Sequence, residues 1–231
     1  MKNETFITNM FSSIVRRYDL LNTLFSFNMD KLWRKVAVAK TGIRAGTKAL
    51  DVATGTGAMA IELAKYSGRE GQATGIDISP AMLQKARTKL QSKGYFNVNI
   101  VTANALYLPF FDNTFDCATI GFGLRNVSNI HITLAEMLRT IKPGSKIVCL
   151  EFCPPKGLLP NILFNLLLLR LLPLLGSILS GNNYAYRYLP LSIMQFKQPD
   201  EISHIMHEVG LSNIRTFFLC MGLVAIYVGT K

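Results

Sequence analysis

The chain is poor in acidic groups. Fourteen aspartates and glutamates stand against 25 lysines and arginines in 231 residues, a formal net charge of +11. That balance favours an anionic partner: nucleic acid, an acidic membrane surface or an acidic substrate. Cysteine is scarce as well. Cys117, Cys149, Cys153 and Cys220 lie in apolar, strand-like runs and lack the C-x-x-C spacing of a zinc or redox centre. They read as buried thiols of a reducing compartment. No repeat of solenoid length and no low-complexity linker interrupts the chain. The opening stretch, MKNETFITNMF, mixes charge with polarity and holds no apolar core of signal-peptide length, so export is not expected. Apolar residues, by contrast, make up 49% of the chain, with a mean hydropathy of +0.26. Such a composition suits a packed core, and the length suits one substantial domain better than two small ones.

From residue 48 the pattern alternates. Strand-like runs at 48–53, 73–78, 98–102, 115–120 and 146–152 are separated, in several cases, by helical patterns at 58–66, 80–91 and 130–141. Strand and helix in turn imply crossovers, and therefore a mostly parallel sheet with helices on both faces. Ser79 before Pro80 reads as an N-cap followed by proline at the first helical position. Further on, a helix at 200–209 stops at Gly210. Two apolar runs, 214–219 and 223–228, can pair as a hairpin through 220–222, which sets an antiparallel strand at that edge and brings the strand total to seven. Residues 1–45 look helical: Phe6, Met10, Phe11, Ile14 and Val15 recur at helical spacing, as do Leu32, Trp33, Val36 and Ala37. Between them RYDLLNTLFSFNMD is less regular.

Chemistry concentrates after the first strand. It ends in Asp51-Val52-Ala53-Thr54-Gly55-Thr56-Gly57, and a helix follows. Glycine lets the backbone turn sharply and approach a ligand, and in an open parallel sheet such a turn lies at the carboxyl edge, where ligands bind. Asp77 ends the second strand, twenty residues past Gly57. An acid there can accept hydrogen bonds from both ribose hydroxyls of an adenosine. Gly55-x-Gly57-x-x-Ala60 also satisfies the dinucleotide pattern, so a nicotinamide dehydrogenase fits the glycines; no catalytic Tyr-Lys or His pair accompanies them. Three further features favour S-adenosylmethionine. Asp51 precedes the glycines and can face a methionine amino group. Asn104-Ala105 follows the third strand, where adenine contacts are expected. Leu108-Pro109-Phe110 and Asp112-Asn113-Thr114-Phe115-Asp116 introduce the fourth strand, in the chain order of the large Rossmann-like class of methyltransferases.

With those residues in place, the chain resembles the ubiquinone/menaquinone biosynthesis C-methyltransferases over nearly its full length. The resemblance is carried by RYDLLN (17–22), SFNMDKLWR (26–34), DVATGTG (51–57), GIDIS (75–79), NALYLPF (104–110), NTFDCATIGFGLRNV (113–127), IKPG (141–144), LEF (150–152) and YRYL (186–189). The glycine motif is common to the whole class, whereas FGLRN and RYDLLN are specific to this family. The resemblance implies a Rossmann-like class I methyltransferase of the α/β class, cytoplasmic, that methylates demethylmenaquinol, the benzoquinol precursor of ubiquinone, or both. It places cofactor contacts at Thr56, Asp77 and the Asn104-Ala105 pair, and makes the N-terminal segment with Tyr18 and Asp19 a helical lid. There are departures. Ala58 stands where Asp is usual, and Thr54 where a smaller residue or Cys is common. SFG becomes Ser26-Phe27-Asn28. The C-terminal Gly-Gly and Leu-His positions read Met221-Gly222 and Ile226-Tyr227. The Ala58 change is expected to weaken one cofactor contact; the C-terminal changes lie away from the FGLRN and glycine motifs.

Methyl transfer from a sulfonium is an in-line displacement with a good leaving group already present, so no metal is expected; alignment and exclusion of water remain. A ring carbon becomes nucleophilic when the neighbouring quinol hydroxyl loses its proton. Arg125 follows the fourth strand, stays protonated, and is expected to stabilise the phenolate, with a water as base. Asn126 can orient the same oxygen or water, and Tyr18 or Asp19 can hold a quinol oxygen. A surface salt bridge is the plainer account of Arg125, and packing or helix capping of Tyr18 and Asp19. His204 and His207 at i, i+3 fit a solvated helix face better than a metal site, and His131 a helix start.

Residues 158–179 contain twelve leucines and have the length of a membrane helix. Arg170 near the middle and Pro160 and Pro173 oppose a span. The expectation is an inserted helical cap that covers the substrate and touches the bilayer, with Arg170, Arg187 and Lys197 meeting anionic headgroups. The organisation expected is therefore one domain over 1–231: an extension at 1–45, a cofactor-binding core at 46–152, an apolar insertion at 153–198, and a C-terminal helix and hairpin at 199–231. Expected partners are a polyprenyl quinol and, peripherally, the membrane surface. Nucleic acid is not expected, and a homo-oligomer or a quinone-biosynthesis complex is left open. Rival readings are an O- or N-methyltransferase of another small lipophilic molecule and a non-catalytic scaffold, the latter opposed by intact Gly55, Gly57 and Asp77. A base-modifying enzyme calls for an Asn/Asp-Pro-Pro-aromatic motif where this chain has Gly121-Phe122-Gly123-Leu124-Arg125-Asn126. The short N-terminus leans towards naphthoquinol.

Overall fold

The apolar runs become the strands of one sheet. The computed structural model describes residues 4–157, 161, 162, 164 and 183–231. Its strands are β1 (Lys48–Val52), β2 (Gln72–Asp77), β3 (Val98–Thr102), β4 (Phe115–Gly121), β5 (Ile141–Phe152), β6 (Ser212–Leu219) and β7 (Val224–Thr230). They form a seven-stranded sheet in the order β3-β2-β1-β4-β5-β7-β6. The first five are mutually parallel, while β7 runs antiparallel to both β5 and β6. The hairpin thus delivers its antiparallel strand to that end of the sheet by inserting β7 beside β5 and leaving β6 outermost. Its turn, Cys220–Gly222, is tight, with positive φ at all three residues.

Side chains alternate across each strand. Leu50, Val52, Ile76, Ala118, Ile120, Ile147 and Cys149 point to one face, where they pack with Leu134, Met137, Ile202 and Met206. Ala49, Ala73, Cys117, Val148 and Leu150 point to the other, against Trp33, Ala37, Met59 and Leu63. Burial on both faces is why these strands read as continuous apolar runs. The expected β5 began at residue 146; the strand starts at Ile141, and a register shift between Phe115 and Cys117 on β4 takes up the extra residues. Cys117, Cys149 and Cys153 are buried free thiols and Cys220 is half-buried; burial pushes Cys117 up to about 12 and Cys153 up to about 11.

The helices are α1 (Glu4–Ile14), α2 (Tyr18–Phe25), α3 (Met29–Lys40), α4 (Ala58–Ser67), α5 (Pro80–Lys93), α6 (Ile130–Thr140), α7 (Asn183–Met194) and α8 (Pro199–Glu208). Ser79 caps α5, its Oγ accepting from the Met82 N–H at 3.4 Å. Asn129 caps α6 through the Ile132 N–H at 3.1 Å. RYDLLNTLFSFNMD is more ordered than its pattern suggested: it holds all of α2 and the start of α3. Between them Phe27 and Asn28 adopt φ 51° and 65°. That left-handed break resets the helical phase, so no single period runs through the segment. Apart from residues 161, 162 and 164, the leucine-rich stretch 158–179, Arg170 included, and the side chain of Arg187 lie outside the described residues.

Candidate active site

β1 pairs with β2 on one side and β4 on the other, so the strand order reverses between β1 and β4. Ligand crevices form beyond the carboxyl ends of strands at such a point. Ala53, Gly55 and Gly57 all take positive φ as the chain turns from β1 into α4. A Cβ on Gly55 would meet nothing within 4 Å, and that open side faces a cavity. Asp51, Gly55, Thr56, Asp77, Asn104 and Ala105, six of the residues expected at the cofactor, line it together with Asn126. Gly57 does not; it starts α4, where a Cβ would touch Ala86 at 3.4 Å.

The polar groups of this cavity are held from several elements. Asp77 accepts the Gly55 N–H at 2.8 Å on one oxygen and the Ser79 N–H at 2.9 Å on the other. Each oxygen retains capacity for a further bond. Burial raises its pKa, and these backbone bonds oppose the rise. Asp51 accepts from Thr54 Oγ1 at 2.6 Å and Thr119 Oγ1 at 2.9 Å. Burial still pushes it up to about 7. A carboxyl poised there is one that a neighbouring ammonium would ionise. Thr56 Oγ1 donates to Asp19 at 2.5 Å, and Lys89 on α5 pairs with Asp19 at 2.7 Å, which ties α2 to the glycine turn. Burial lowers the Lys89 pKa, against the pull of Asp19. Glu4 on α1 accepts from Asn104 Nδ2 at 3.1 Å and Ser128 Oγ at 2.6 Å. The N-terminal helices therefore close over the cavity.

A second, mostly apolar cavity of about 290 Å³ adjoins it. Met10, Leu21, Phe25, Trp33, Phe152, Phe164 and Ile193 line it, with Tyr18, Asp30, Arg34, Arg125 and Tyr188 among its polar residues. Phe11, Tyr18, Arg34 and Phe122 belong to the walls of both cavities. Tyr18 packs edge-on to Phe11 at 5.9 Å, and burial raises its pKa.

Arg125 was expected to face a phenolate, with a surface salt bridge as the plainer account. It lines the apolar cavity, yet it is 4% exposed. Its Nη1 donates to Glu151 Oε1 at 2.6 Å and to the Phe122 carbonyl at 2.7 Å, and its Nε to Ser192 Oγ at 3.3 Å. The ion pair is buried. Asn126 lies on the cofactor side, its Oδ1 accepting from Tyr188 at 2.9 Å. Sequence reasoning missed the roles of Glu4, Glu151, Tyr188 and the Asp30–Arg34 pair. Glu151 alone carried a signal, an acid inside an apolar strand run; the i, i+4 spacing of Asp30 and Arg34 was legible only as a helix pair. His131 and His204 both meet Glu208, at 2.9 and 3.3 Å. No group of three metal donors occurs among the described residues.

The sheet order, the glycine turn and the acid at the end of β2 define a Rossmann-like, S-adenosylmethionine-dependent methyltransferase. A methyltransferase of this kind from Aquifex aeolicus superposes with a TM-score of 0.66 at 19% identity, over 91% of this chain and 96% of that one. A phosphoethanolamine N-methyltransferase from Haemonchus contortus, in complex with S-adenosylmethionine, gives 0.64 at 15% identity, over 85% of this chain and 52% of that one. Along residues 1–231 the sequence matches the ubiE/COQ5 methyltransferase family. Ubiquinone/menaquinone biosynthesis C-methyltransferases from Teredinibacter turnerae and Haemophilus ducreyi are 38% and 37% identical, covering 97% and 100% of this chain and 91% and 89% of their own length. The chain belongs to the ubiE/COQ5 family and is an S-adenosylmethionine-dependent C-methyltransferase of ubiquinone/menaquinone biosynthesis.

Proposed function

We propose that this enzyme converts demethylmenaquinol to menaquinol by methylating a ring carbon, working at the membrane surface on a polyprenylated naphthoquinol. The observation that supports this reading is the pairing of cavities: a polar one suited to an adenosine and an amino acid, and an apolar one that shares Phe11, Tyr18, Arg34 and Phe122 with it. A flat quinol with a hydrocarbon tail suits the second. Asp77 would hold the ribose, Asp51 the amino group, Asn104-Ala105 the adenine, and Thr56 the turn beneath them. When bound, S-adenosylmethionine supplies an electrophilic methyl group on sulfur.

The protein's own residues align the ring and keep water out. Phe122, Phe152 and Trp33 pack together with ring centroids 4.8 to 6.1 Å apart and offer a wall for the ring. Tyr18 and Asn126 meet the quinol oxygens. Arg125, tied to Glu151, keeps the loop after β4 in place and holds positive charge beside the cavity. Overall, the ring carbon gains a methyl group, loses its hydrogen as a proton, and the ring recovers aromaticity.

Mass spectrometry of quinones from cells with and without the gene tests the assignment. Accumulation of demethylmenaquinone is the expected result; a methyl deficit confined to benzoquinones would move the substrate to the ubiquinone branch. The purified enzyme should also turn over demethylmenaquinol in detergent or vesicles.

A further inference from the structure

We propose that Arg34 binds the quinol oxygen adjacent to the accepting carbon and steadies it as a phenolate. The inference rests on the quinol reading above. It turns on which cation in the site remains available to a second molecule.

Arg125 is committed. Its Nε and Nη1 are taken up by Ser192, the Phe122 carbonyl and Glu151, and Glu151 is itself fully buried. Arg34 differs. Its hydrogen bonds leave from Nη1 alone, to the carbonyl of Asp30 at 3.1 Å and to the Asp30 carboxylate. A guanidinium also carries donors on Nε and Nη2, and among the described residues no acceptor takes them. Neither nitrogen is a sealed, unpaired atom. Arg34 lies in the wall that both cavities share, so the open donors have a cavity to serve.

The group is also held in place. Asp30 accepts from Ser26 Oγ at 3.1 Å, and the Arg34 guanidinium carbon lies 5.6 Å from the centre of the Phe122 ring. One edge of the planar fork is thus anchored and the other is open. Burial raises the pKa of both Asp51 and Tyr18, and the charge of Arg34 pulls each back down. Its field therefore reaches both cavities.

Within apolar walls such a cation binds an oxyanion far better than a neutral hydroxyl. The contact strengthens as the hydroxyl ionises: the proton leaves to water, the electron pair stays on oxygen, and Arg34 keeps its own protons. The same pair feeds the ortho carbon.

The test compares the wild-type full chain with Arg34→Met and Arg34→Lys on short-tailed demethylmenaquinol. Arg34→Met should lower kcat by about 100-fold, the usual cost of one oxyanion donor. Calorimetric affinity for S-adenosylmethionine should change far less than kcat, because Arg34 acts on Asp51 through its charge and not through a hydrogen bond. The rising limb of kcat against pH should move to higher pH, because the bound quinol must then ionise without help. Added guanidinium ion should restore part of the rate. Arg34→Lys keeps the charge and the helix pair with Asp30, so it should fold and fall between the other two. Its pH limb carries the test should Arg34→Met not fold. A wild-type pH profile and kcat in Arg34→Met overturn the proposal. So does a rate loss that neither lysine nor guanidinium relieves, since that marks a packing role. Failure of the wild-type enzyme on every quinol removes the substrate reading, and this inference with it; that result needs no variant and is distinguishable.

Discussion

Asp51 is a buried carboxyl at the sheet edge whose pKa of about 7 far exceeds its ordinary 3.8. Its sign has two consequences. Without ligand, the folded chain keeps a proton that the unfolded chain releases, so this group's contribution to stability is full below pH 3.8 and is lost as pH rises towards about 7. An ammonium beside it reverses the preference. Affinity for S-adenosylmethionine should therefore rise between about pH 6 and about pH 8, measured by calorimetry, and Asp51→Asn should abolish that rise. A flat profile in the wild type would mean that the amino group sits elsewhere. Arg125 and Glu151 make the second residue-scale case. Removing one partner of a buried pair strands the other, at a cost of about 3–5 kcal/mol. Arg125→Ala should lose that much in urea unfolding. If it instead unfolds like the wild type, the pair is not holding the loop after β4. Arg125 was expected from its place after a strand, but Glu151 lies 26 residues away in sequence, and no local pattern joins the two.

At the scale of elements, the lid and the glycine turn are each held by few contacts. Asp19 on α2 reaches both Thr56 and Lys89. The pair is partly exposed, so its worth is bounded by about 1 kcal/mol. Lys89→Met should raise the KM for S-adenosylmethionine by about 2- to 5-fold and speed proteolysis within α1 and α2. Protection equal to the wild type would show that the lid is closed by other contacts, such as those of Glu4. Under the turn, a Cβ on Gly75 would lie 2.7 Å from Thr54 Oγ1. Gly75→Ala should cost about 1–3 kcal/mol, part of which Thr54→Ala in the same chain should return. Thermal unfolding of the single and double variants decides this, and equal losses in both would rule out the clash. The strands were legible because burial on both faces writes continuous apolar runs. The second helix was not, because Phe27 and Asn28 break the phase that a periodicity argument needs.

Across the whole molecule, charge and exposed apolar surface suit a membrane. Leu20, Leu24 and Phe27, on α2 and the bend after it, are 64%, 48% and 72% exposed, and Phe27 also lines the apolar cavity. No helix among the described residues is long and apolar enough to cross a bilayer. With a net charge of +11, the enzyme should sediment with vesicles containing an anionic lipid, release as salt rises, and ignore neutral vesicles. Leu20→Glu with Leu24→Glu, at exposed positions outside both cavities, should weaken binding while leaving turnover of a short-tailed, detergent-dissolved quinol intact. Salt-insensitive binding to neutral lipid would exclude the electrostatic part.

Sequence by itself determined the alternation of strands and helices, the glycine turn with its acids at 51 and 77, and the family to which the chain belongs. Those are local patterns of burial period, backbone freedom and motif spacing. Tertiary structure alone decided how the charges are spent. Arg125 is buried against Glu151, Asn104 and Ser128 are engaged by Glu4, and Arg34 keeps donors beside two cavities. Which guanidinium is satisfied depends on acceptors brought from distant segments, and packing, not spacing, chooses them.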